Sequence, residues 1–116
     1  MQASTITINV QLDAQKLPET ITWQASGSTI DKPQPAKAML LAFWDSIDKA
    51  ALRIDLWTKD MMIDEMTDFF FQTLSSMADA YERATHQQVL VNDIKQFAKN
   101  FYQKSKQMQM KETKKQ

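Results

Sequence analysis

Ala38-Met-Leu-Leu-Ala-Phe-Trp44 is the longest unbroken apolar run in the chain. Around it, Ala36, Met39, Leu40, Phe43, Trp44 and Ile47 recur at three- and four-residue steps, which predicts a helix over about 34–48. Upstream lies a loop, Ser26 to Pro35, which holds the single glycine and two of the three prolines. Before that loop, Ile6, Ile8, Val10 and Leu12 alternate with Thr5, Thr7, Asn9 and Gln11, the pattern of a half-buried strand over 4–12. Ile21, Trp23 and Ala25 alternate with Thr20, Thr22 and Gln24 in a second strand over 20–25. The segment Asp13 to Glu19 joins the two strands as a hairpin loop.

Downstream, residues 51–57 alternate again. Leu52, Ile54 and Leu56 point inward, while Arg53, Asp55 and Trp57 point outward. Met62, Met66, Phe70, Leu74, Met77 and Tyr81 then mark a helix over 62–85, with Asp60 as its expected cap. A last helix over about 88–105 carries Leu90, Val91, Ile94, Phe97, Ala98, Phe101 and Tyr102 on its apolar face. The predicted order is ββαβαα. It implies an α+β fold, a three-stranded, mainly antiparallel sheet of order 2-1-3 with three helices packed on one face. Residues 1–103 are expected to form one domain. The lysine- and glutamine-rich tail over 104–116 either extends the last helix or frays.

Composition narrows the function. The chain has 116 residues, no cysteine and one histidine, which excludes disulfide scaffolds, thiolate metal sites and histidine clusters. A single glycine, Gly27, leaves no glycine-rich phosphate loop, and no cofactor motif is present. Residues 1–93 hold 13 acids against 7 bases, a net of −6, and residues 94–116 hold seven lysines and Glu112, a net of +6. An acidic body with a basic tail does not suit general nucleic-acid binding, because the body repels phosphate. Seven apolar residues in a row fall well short of the roughly 20 that a membrane span needs. The start, MQASTITINV, has neither a basic nor an apolar segment of the secretory kind. With the lack of cysteine, this favours the cytoplasm. The tail lysines, Lys104, Lys106, Lys111, Lys114 and Lys115, would give at most a weak peripheral contact with anionic lipid.

The residues with chemical potential are few. Asp60, Asp64 and Asp68 fall at four-residue steps and could hold a hard cation, but they fit dipole complementarity at a helix start better. His86 has no nucleophile or orienting acid suggested by spacing. The open face of the sheet is the better candidate, expected to carry Thr5, Thr7, Asn9, Gln11, Thr20, Thr22 and Gln24 together with Arg53, Asp55 and Trp57; the alternative is a face simply solvated, with Trp57 tucked against a loop. Arg53, Asp55 and Trp57 form an ion pair beside an exposed indole, a composition suited to protein contact. A second copy of the chain would bury Trp57 isologously. Phe71 lies about 120° from the centre of its helix's apolar stripe. Exposed, it would mark an interface; otherwise it packs under the first helix or the hairpin.

Three stretches carry a family resemblance: Lys37-Ala-Met-Leu-Leu-Ala-Phe-Trp-Asp45, Leu52-Arg-Ile-Asp-Leu-Trp-Thr-Lys-Asp-Met61, and Asp64-Glu-Met through Glu82-Arg-Ala-Thr85. Together they resemble the gliding-motility-associated protein GldC family of Bacteroidetes, over roughly residues 5–102. The resemblance implies a small, non-enzymatic accessory protein, an adaptor or stabilising factor of the gliding machinery. Its partners would be other gliding or secretion proteins, met on the cytoplasmic side, and no cofactor or metal is implied. The alternative is a small chaperone-like protein that binds extended polypeptide at a sheet edge or in the methionine–phenylalanine region. A third reading makes the acidic trio a divalent-metal enzyme site, which Mg²⁺ titration by calorimetry and thermal shift would test.

Overall fold

The computed structural model describes residues 2–27, 29 and 31–114, and the side chains as far as residue 111. The end of the lysine-rich tail, including Lys115, lies outside the described residues. The described residues form five strands and two helices: β1 (Ile6–Leu12), β2 (Pro18–Ala25), β3 (Gln34–Ala36), β4 (Ala38–Asp45), β5 (Ala50–Trp57), α1 (Ile63–Thr85) and α2 (Gln88–Lys114). These divide into two compact units, Met1–Met61 and Met62–Gln116.

The first unit holds two antiparallel sheets of order β1-β2-β3 and β4-β5. The predicted hairpin is present, with Ile8 opposite Trp23 and Val10 opposite Ile21. Its turn is fastened by Asp13, whose carboxylate accepts the N–H groups of Gln15 at 2.8 Å and Leu17 at 3.0 Å. Lys16 takes the left-handed conformation that closes the turn, φ 64°.

The expected helix over 34–48 is instead β3 and β4, separated by the single residue Lys37. The reason is visible in the pairing. Met39 lies opposite Leu56, Leu41 opposite Ile54 and Phe43 opposite Leu52, so one face of β4 matches the apolar row of β5. Ala38, Leu40, Ala42 and Trp44 occupy the other face. Apolar residues on both faces remove the period of two, and a continuous run of this length reads equally as helix or strand. The chain then reverses over 46–49, where Asp45 accepts the Ile47 N–H at 2.9 Å and Lys49 is left-handed, φ 53°. The observed order is therefore βββββαα. Two sheets replace the single three-stranded sheet of order 2-1-3, and two helices replace three.

The second unit is a pair of antiparallel helices. Met62, with an extended backbone, occupies the N-cap of α1, and its N–H donates to Glu65 Oε1 at 3.3 Å. Asp60, the expected cap, accepts the Thr58 hydroxyl at 2.6 Å instead. His86 ends α1 in the left-handed conformation and donates its N–H to the Glu82 carbonyl at 2.9 Å. α2 continues past Ser105 to Lys114. Ala78, Val91 and Ala98 are the fully buried apolar residues of this unit. Neither helix, among the described residues, is long and apolar enough to cross a membrane.

Candidate functional site

Side chains leave a strand alternately on its two faces, so Arg53, Asp55 and Trp57 of β5 share one face. They lie opposite Ala42, Leu40 and Ala38 of β4. Arg53 grips Asp55 with two hydrogen bonds, Nη2 to Oδ1 at 2.9 Å and Nε to Oδ2 at 3.2 Å. Both side chains are exposed, and a pair of this kind contributes under about 1 kcal/mol to stability. What it supplies is a fixed pattern of charge. Trp57 is 56% exposed, and its cross-strand neighbour Ala38 is too small to cover the indole. Trp44, 68% exposed, stands on this same face at the far end of β4, opposite Ala51. The face thus carries an indole at each end and an ion pair between them.

Trp57 also borders a cleft of about 310 Å³, lined by Leu17, Pro18, Asp55, Leu56, Trp57, Thr58 and Lys59. Two anchors hold its walls. Lys59 pairs with Asp13 in the β1–β2 turn. Thr58, almost fully buried, donates its N–H to the Lys37 carbonyl at 2.8 Å. The Asp13–Lys59 hydrogen bond lowers the Asp13 carboxyl below its usual range and raises the Lys59 amine above its own. The Thr58 hydroxyl lowers the Asp60 carboxyl. All three groups therefore carry their charges at neutral pH. The cleft offers apolar area with a charged rim, and its lining presents no nucleophile paired with a base.

The polar residues Thr5, Thr7, Asn9, Gln11, Thr20, Thr22 and Gln24 do not join this face in one sheet. β5 pairs with β4 and belongs to a different sheet from β1 and β2. Phe71 is not a free surface residue. Its ring packs against Tyr102 of α2 at 4.7 Å between centroids. Leu17 and Pro18 were not predictable as neighbours of Trp57, because the β1–β2 turn brings them there from about 40 residues away in the chain, whereas Lys59 follows Trp57 by two residues. Trp44 was hidden by the helical reading of 34–48. Among the described residues, no group of three or more histidine or acidic side chains is placed to hold a metal ion.

These features define a small α+β protein with a two-indole strand face beside an apolar cleft. Residues 18–113 match the family model described as gliding motility-associated protein GldC-like. The chain belongs to the GldC-like family, which ties it to gliding motility and is not a known enzyme family. No curated protein and no solved structure matches the chain.

Proposed function

We propose that this protein is a non-enzymatic adaptor or stabilising factor of the gliding machinery. It works on the cytoplasmic side, through contacts of Arg53, Asp55 and Trp57 with another gliding or secretion protein. The observation that carries this reading is the half-exposed Trp57, set beside a bidentate ion pair at the rim of an apolar cleft. Tryptophan and arginine dominate binding energy at protein interfaces, and a fixed charge pair sets register and rejects wrong partners. Phe71, engaged by Tyr102, is left out of this surface.

The test is capture of the tagged protein from its native cells after gentle crosslinking, beside an Arg53→Glu, Trp57→Ala double variant. Gliding or secretion components should appear with the parent and vanish with the variant. Equal capture by both would remove this face from the proposal.

One observation favours a second reading, a chaperone-like protein that binds extended polypeptide. Among the described residues, each strand of the β4–β5 sheet is paired on one side only. Phe43, Leu52 and Ile54 are exposed on the face opposite Trp57. An open edge beside an apolar row can add an extended strand from a client. Suppression of the aggregation of a model unfolded protein would separate this reading from the first.

A further inference from the structure

The helix pair sorts its side chains onto two flanks. Its interhelical ion pairs, Asp79–Lys95 at 2.9 Å and Asp68–Lys106 at 3.6 Å, lie together along one flank. At 100° per residue, the opposite flank carries Phe70 and Met77 from α1 and Leu90, Phe97 and Met108 from α2. These five side chains range from 41% exposed at Phe70 to 60% at Phe97. They leave on the order of 500 Å² of apolar surface open on one chain. A two-fold contact doubles this to about 1,000 Å² before its polar rim is counted, which approaches the roughly 1,200–2,000 Å² of a stable interface.

The order of residues along α2 says what covers this flank. An isologous contact requires that if residue i meets residue j, then j meets i. Two apolar pairs on α2, one of them including the half-buried Phe101, are mirrored about Lys99. Leu90 and Met108 are equally far from it, and so are Phe97 and Phe101. In antiparallel pairing with a second α2, Leu90 meets Met108 of the other copy and Phe97 meets Phe101 of the other copy. Lys104 falls opposite Ile94, one residue from Asp93, so acid meets base twice across the axis. Neither Asp93 nor Lys104 forms an ion pair among the described residues.

We propose that the apolar flank of α1 and α2 docks a second copy of this chain, with the two α2 helices antiparallel about residue 99 and Asp93 of each facing Lys104 of the other. The resulting four-helix contact uses none of the residues of the Trp57 face.

Sedimentation velocity on the full-length chain tests this, with helical circular dichroism to confirm folding. The parent should dimerise. Asp93→Lys and Lys104→Asp, each placing like charges together twice, should each raise the dimer dissociation constant about ten-fold. An equimolar mixture of the two variants should restore parental affinity, because the hetero pair brings opposite charges together at both contacts. That rescue belongs to a self-complementary, antiparallel contact and not to docking of an unrelated protein. A parent that stays monomeric to high micromolar concentration would overturn the proposal. So would a dimer indifferent to both charge variants and to Phe97→Asp.

Discussion

The two units bury opposite kinds of side chain. Among the described residues of the strand unit the buried apolar one is Ile21, 2% exposed, at the centre of β2. In the helical unit the buried residues are Ala78, Val91 and Ala98, two of which have only a methyl group. The difference follows from geometry. Side chains of a sheet stand off the backbone plane, so a long residue is needed to reach the layer above it. Helices gain contact by letting their backbones approach, and small residues at the crossing allow that approach. One core is filled by length and the other by closeness.

Substitutions of opposite sense test this contrast. Ile21→Ala should cost about 2–4 kcal/mol, from lost transfer energy and the cavity left behind. All three tryptophans, Trp23, Trp44 and Trp57, lie in the strand unit. Denaturation followed by tryptophan fluorescence therefore reads the loss where it occurs. A change under about 1 kcal/mol would show that Ile21 is not the keystone of that unit. Ala98→Leu runs the other way. It adds bulk where the helices cross and should cost about 1–3 kcal/mol by overpacking, read from the helical signal at 222 nm. If Ala98→Leu is neutral, the helices do not depend on close approach and the contrast fails.

A smaller effect is expected at the Trp57 face. Trp57→Ala removes a large side chain, but one more than half exposed. Stability should change by about 0.5 kcal/mol or less in thermal melting. A loss nearer the Ile21 value would make Trp57 a core residue and would remove the main support for the contact reading.

The same contrast explains what could be read in the sequence. β1 and β2 were legible because Ile6, Ile8 and Val10 alternate strictly with Thr7, Asn9 and Gln11. α1 was legible because Met66, Phe70, Leu74, Met77 and Tyr81 hold a helical step over many turns. β4 was not, because its two apolar faces erase alternation and leave residues that mimic helical spacing at 36, 39, 40, 43, 44 and 47. β3 is three residues with a proline at its centre, too short to carry any period. The face of Arg53, Asp55 and Trp57 followed from the period of two alone. The cleft beside it did not, since Leu17 and Pro18 reach Trp57 from a distant part of the chain, next to the Asp13–Lys59 pair. The apolar face of α2 was legible in the sequence as one face, but only the burial of Val91 and Ala98 against the exposure of Leu90 and Phe97 divides it.

The smallest expected effect is that of pH on the Asp13–Lys59 anchor, and its sign follows from the two shifts. Asp13 is lowered by the Lys59 hydrogen bond, and by backbone N–H groups of Leu17 and Gln15. A lowered carboxyl stabilises the fold above the ordinary aspartate range, and that contribution is lost as pH falls through the lowered value. Lys59 is raised, first by the same hydrogen bond. Its contribution is complete below the ordinary lysine value and is lost as pH rises through the raised one. The pair therefore acts across neutral pH and fades at both extremes. Asp13→Asn should melt below the parent at pH 7, by less than Ala98→Leu does, and the gap should close in strong acid as the parent's own carboxyl is protonated. On the alkaline side the gap should narrow only in part, because the carboxylate still accepts the Gln15 and Leu17 N–H groups at 2.8 and 3.0 Å. A gap that persists unchanged into strong acid would assign the effect to the shape of the turn, and not to the charge that holds Lys59 and one wall of the cleft in place.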